Sequence, residues 1–136
     1  MTMSRHDMRK IAFQMLFAME SNQDIVVDEL YYQVKDDDEN ETEEIPSYVR
    51  ILVTGVNEKK AELDATIQKY LGQGWTLIRL NKTDVIILRI AIFEIQDVDD
   101  IPGKVALNEA LELTREFSDE KSRRFVNGVL SNLISK

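Results

Sequence analysis

The residues of this chain that could do chemistry are cations set beside aromatic rings. Lys121, Arg123 and Arg124 run directly into Phe125, and Arg5, His6, Arg9 and Lys10 crowd the N-terminal arm with Asp7 as the lone acid. Lysine and arginine neutralise backbone phosphates, and a neighbouring ring can stack on an unpaired base, worth ~1–3 kcal/mol per base. Both clusters are placed at the starts of predicted helices, where backbone N–H groups and the helix dipole already favour anions. The pattern points to binding of RNA rather than to catalysis.

Groups for catalysis are scarce. His6 is the single histidine and sits in the arm, where a lone histidine is usually a surface residue, since proton transfer needs a partner held in place. There is no cysteine, which excludes disulfides and thiolate chemistry and fits a reducing, cytoplasmic setting. No glycine-rich phosphate loop, H-E-x-x-H or C-x-x-C pattern occurs. No catalytic residue, cofactor or metal site is expected, and the chain does not read as an enzyme.

The net charge of −8 argues against nucleic acid until its distribution is considered. Residues 36–44 hold seven acids, and without them the body is close to neutral. This run reads as a solvated loop. It is not an EF-hand, because Glu41 stands where glycine is needed and Ser47 where the bidentate glutamate belongs.

The elements that must position these residues are helical. Met8, Ile11, Ala12, Met15, Leu16 and Met19 recur at helical spacing, predicting a helix from Ser4, its cap, to Ser21. Phe13 and Phe17 lie off that stripe, so the helix is either buried on two sides or carries a partner-docking patch. A weaker helix is expected from Asp24, as cap, to Val34. Pro46 and Ser47 open a long one with Tyr48, Ile51, Leu52, Val56, Leu63, Ile67, Tyr70 and Leu71 inward, ended by Gly72 and Gly74. Trp75 to Leu80 reads as a connector. Asn81 caps a helix with Asp84 in its first turn, and Val85–Ile95, interrupted only by Arg89 and Glu94, reads as the central buried helix. Arg89 then needs a buried ion-pair partner, with Glu94 and Glu109 as candidates. Pro102 starts the next helix, which ends near Phe117, and the last buries Val126, Val129, Leu130, Leu133 and Ile134. Lys121, Arg123 and Arg124 are expected in the loop before it. The fold class is all-α, with six or seven helices.

Three ordered motifs give these helices a resemblance. Leu88-Arg89-Ile90-Ala91 with Glu94, Ile101-Pro102 with Val105 to Ala110, and Phe125 to Leu130 are similar to the NusB family of bacterial transcription antitermination factors, supported by Arg9, Ala12, Gln14 and Leu16-Phe17. The resemblance spans essentially the whole chain and implies one RNA-binding domain over residues 1–136, built as two packed three-helix bundles. It implies binding to the boxA element of nascent ribosomal-RNA transcripts together with NusE, a small-subunit ribosomal protein, within an RNA polymerase elongation complex with other Nus factors. Homodimerisation is a further assembly it allows. The RNA contacts it implies are Arg5, Arg9, Lys10, Lys121, Arg124 and Phe125. Phe17 and Asp84 are implied at the NusE-facing surface, while Asn108, Glu109, Asn127 and Gly128 read as fasteners of the second bundle. Two alternatives remain: a helical adaptor or dimer that does not bind RNA, and the helical domain that precedes some RNA cytosine methyltransferases. For the latter the chain offers neither a cysteine nucleophile nor a cofactor-binding βαβ unit.

Overall fold

The computed structural model describes residues 3–22, 24–35 and 44–135, so the acidic run 36–44 lies outside the described residues except for Glu44. Among the described residues there are seven α-helices and no strand: α1 (Arg5–Ser21), α2 (Val27–Lys35), α3 (Ser47–Glu58), α4 (Lys60–Lys69), α5 (Lys82–Asp97), α6 (Gly103–Phe117) and α7 (Glu120–Ile134), with a 3-10 turn at Leu77–Arg79. The all-α expectation holds. The chain divides into two compact units, Met1–Gly55 and Val56–Lys136.

In the first unit, α1 starts as its sequence dictates: Ser4 Oγ accepts from the Asp7 N–H at 3.1 Å. Its buried face comprises Arg9, Ala12, Phe13, Met15 and Leu16. Met8, Ile11 and Met19 are only half-buried, so the core-facing stripe is rotated towards Arg9 and Phe13 relative to the predicted one. α1 packs on α2, which contributes Leu30 and Tyr31. Asp24 is not the α2 cap. Its N–H donates to Asn22 Oδ1 in a local turn, and the first helical bond runs from the Leu30 N–H to the Val26 carbonyl. Tyr48, Val49, Leu52 and Val53 of α3 are buried, whereas Ile51, expected inside, is exposed.

The long helix expected from Pro46 to Leu71 is two helices, because Lys59 leaves helical geometry at φ −105° and ψ 15°. Neither proline nor glycine marks the break. Instead, Lys59 Nζ donates to Asp97 Oδ1 at 2.6 Å, fastening the start of α4 to the C-terminal end of α5.

The second unit is a three-helix core of α5, α6 and α7, with α4 packed on α5. Every residue from Asp84 to Glu94 is buried, as a helix apolar all round requires. α6 presents Ala106, Ala110, Leu113 and Thr114, and α7 presents Val126, Val129 and Leu130. Leu133 is half-buried and Ile134 is exposed, short of the burial expected for them. Ile134 nevertheless meets the start of α6: a Cβ on Gly103 would lie 3.2 Å from Ile134 Cγ1, closer than two carbons pack without adjustment. Arg89 does form a buried ion pair, and Asp64 on α4 grips its fork. Nε and one terminal nitrogen donate to the two Asp64 oxygens at 2.7 and 3.0 Å.

Candidate nucleic-acid interface

Two helix caps build the site in the second unit. Asn81 Oδ1 accepts from the Asp84 N–H at 2.8 Å at the start of α5. Asp119 Oδ1 accepts from the Ser122 N–H at 2.8 Å at the start of α7. Ser122 Oγ then donates to Asp84 Oδ2 at 3.0 Å, lacing the two N-termini together. Two positive dipole ends therefore meet on one side of the unit.

Beside this lacing lies a cleft of about 590 Å³, walled by Trp75, Arg79, Asp84, Lys121 and Phe125 among others. The loop carrying Trp75 is held by Gln68. Its amide nitrogen donates to the Trp75 carbonyl at 3.0 Å, and its amide oxygen accepts from the Leu77 N–H at 3.1 Å. Gly74, at φ +86°, makes the turn. Trp75 keeps 55% of its surface exposed despite that anchoring.

Asp84 is 6% exposed, and its Oδ1 has no hydrogen-bond partner among the described residues. Burial raises its pKa above the ordinary value. The Ser122 hydrogen bond lowers it, repulsion from Asp119 raises it, and Asn81 lowers it.

The cations sort unequally. Lys121 and Arg124 are exposed and lie in the first turns of α7, not in a loop before it, because Asp119 caps the helix earlier than expected. Arg123 faces Glu120 at 3.8 Å, while Lys121, Arg124 and Arg79 form no ion pair among the described residues. Phe125 is half-buried in the cleft wall.

In the first unit Arg5 is exposed, with its guanidinium 4.1 Å from the centre of the Tyr48 ring. Arg9 is 4% exposed and lies 5.9 Å from the same ring, so it holds α1 to α3 before it can hold a ligand. Lys10 is half-buried in a shallow groove of about 290 Å³ with Asp7, Gln14 and Lys35. Phe13 and Phe17 divide the two readings of their helix: Phe13 is core, and Phe17, 6.1 Å away between ring centres, is 41% exposed.

The structure brings Asp84, Lys121 and Phe125 into one cleft and groups Arg5 with Arg9 over one ring. It leaves Asn108, Asn127 and Gly128 exposed, so the fastener reading of these three fails. A Cβ on Gly128 would meet nothing within 4 Å. Sequence reasoning missed Trp75, Arg79, Tyr48 and the Asp119–Ser122 cap. A lone tryptophan directly after two turn glycines, and an aspartate three residues before a serine, are the available signals.

The profile of the NusB family matches residues 6–135. The chain belongs to the NusB family. It is 54% identical over 134 residues to the transcription antitermination protein NusB of Lactiplantibacillus plantarum, covering 98% of this chain and 96% of that one. It is 44% identical to the Enterococcus faecalis protein of the same name, covering 98% and 91%. The structure of T. maritima NusB superposes with a TM-score of 0.85 at 30% identity, covering 100% of this chain and 94% of that one. A structure of the antitermination factors NusB and NusE in complex with double-stranded RNA has the same fold, with a TM-score of 0.79 at 24% identity and 98% of each chain covered. The family match extends over nearly all of both units.

Proposed function

We propose that this chain is a transcription antitermination factor that binds boxA RNA of nascent ribosomal-RNA transcripts together with NusE, and so helps RNA polymerase resist termination. Membership of the NusB family supports the role. The observation that carries the RNA surface is the start of α7: Lys121 and Arg124, without ion pairs among the described residues, precede the half-buried Phe125 where two helix N-termini meet. Arg5 and Lys10 of the first unit are further RNA contacts in this reading, and Arg9, buried near the Tyr48 ring, is a positioning residue. Phe17 is the NusE-facing group, since an exposed phenylalanine on a helix otherwise committed to its core invites a partner. The role is non-enzymatic, and the working assembly is the elongation complex with other Nus factors.

The test is a titration of a boxA-like RNA with the protein, with and without NusE, across a salt series. Up to four phosphate contacts, from Arg5, Lys10, Lys121 and Arg124, give a slope of log affinity against log salt of roughly −3 for a single strand. Absence of binding at low salt with NusE present would favour the helical adaptor that does not bind RNA.

A further inference from the structure

We propose that the cleft between the N-terminal turns of α5 and α7 is a nucleobase pocket, taking one unpaired base that carries an exocyclic amino group, with Asp84 reading that group. The inference rests on the RNA-binding reading above and assigns it a specificity-determining residue, placing on the RNA the Asp84 that the family resemblance puts at the NusE-facing surface.

Four features of the cleft converge on a base. Its volume of about 590 Å³ lies within the ~300–1,000 Å³ of small-ligand sites. Two aromatic side chains, Trp75 and Phe125, line it, and a base offers a π-face to either. Trp75 is not a stray surface residue, because Gln68 holds its loop by both ends of its amide, yet more than half of the residue is left exposed. Arg79 and Lys121 line the same cleft without ion pairs among the described residues, which suits the phosphates on either side of an inserted base.

The fourth feature is chemical. Asp84 is buried, its Oδ2 accepts from Ser122, and its Oδ1 has no partner among the described residues. A buried acceptor without a donor is costly and rare in folded proteins. A ligand N–H brought against Asp84, which lines the cleft, would satisfy it. Adenine, cytosine and guanine carry an amino group on the Watson–Crick edge. Uracil offers a single ring N–H between two carbonyl oxygens, which a carboxylate repels. Carboxylates accept from base amino groups in this way elsewhere.

The chain's only tryptophan is Trp75, so its emission reports this cleft alone. The experiment titrates the full-length protein with a fluorescein-labelled boxA-like RNA, following RNA anisotropy and Trp75 emission together, with and without NusE. The expected result is quenching of Trp75 that saturates at the RNA concentration that saturates anisotropy. Replacing each amino-bearing base in turn by uracil identifies the seated position by loss of quenching. At that position Asp84→Asn lowers the preference for the amino-bearing base roughly tenfold, and Trp75→Ala weakens all the RNAs by roughly five- to a hundredfold. Anisotropy that rises with no change in Trp75 emission would overturn the pocket and leave the RNA-binding reading standing. No anisotropy change at low salt, even with NusE, would overturn both. Quenching by NusE in the absence of RNA would assign the cleft to a protein side chain and overturn the base.

Discussion

Removing the Asp64 carboxylate tests whether the core of the second unit depends on the charge buried in its central helix. In the native protein the Arg89 side chain is 7% exposed and that of Asp64 24%. The guanidinium makes two charge-assisted bonds to it, at 2.7 and 3.0 Å. Such bonds contribute about 1.5–3 kcal/mol each, so the pair could reach about 3–6 kcal/mol. Water has access to the Asp64 side and offsets part of that, which leaves ~3 kcal/mol for Asp64→Ala, the low end for breaking a buried ion pair. In a domain of this size each kcal/mol shifts Tm by roughly 3–5 °C, so the melting temperature should fall by about 10–15 °C. Urea unfolding followed by far-UV circular dichroism measures the loss as a lower midpoint at unchanged slope. The double variant Asp64→Leu with Arg89→Met should recover most of it, since apolar groups then replace both charges of the pair. A loss below about 1 kcal/mol, or a double variant no better than the single one, would show that the pair is not what holds α4 to α5.

Phe125→Ala should weaken boxA-like RNA binding by ~1–3 kcal/mol with the helical signal retained, checked by anisotropy and circular dichroism on the same sample. Phe17→Glu should abolish NusE pairing in a pull-down while the protein stays folded, because the ring is already 41% exposed; unfolding would make Phe17 core. The raised pKa of Asp84 sets a pH dependence. Its contribution to stability is fully present below the ordinary carboxyl value and is lost as pH rises through the raised one. Wild-type stability relative to Asp84→Asn should therefore fall from acid to neutral pH, and a difference flat with pH in urea titrations would refute burial as the dominant influence on that carboxyl.

Much of the fold is legible in the chain because helix signals are local. Ser4 and Asn81 cap where their types and their neighbours three residues on say they should, and the unbroken apolar run of α5 is as buried as it reads. The errors come where two influences compete over one residue. Asp24 is a good cap by type, but the turn at Asn22 takes its N–H. The face from Tyr48 to Leu71 is continuous in spacing, but the backbone breaks at Lys59, where the Asp97 carboxylate holds its side chain. Lys121 and Arg124 read as loop by composition, but Asp119 caps α7 ahead of both.

The sequence by itself determined the all-α class, the positions of most helices, the family and the inventory of cations and rings available for RNA. Those follow from periodicity, capping and motif order, all of which act over a few residues. Only the tertiary structure decided which members of that inventory face outward. Arg9 and Arg5 are equivalent as residue types, but Tyr48, brought from a distant helix, accompanies one in the interior and the other at the surface. Arg89 finds Asp64 across α4, and Asp84 finds Ser122 at the head of α7. The cleft that joins Trp75, Arg79 and Phe125 exists only once those helices pack. Exposure and pairing depend on neighbours remote in sequence, and no window of local spacing contains them.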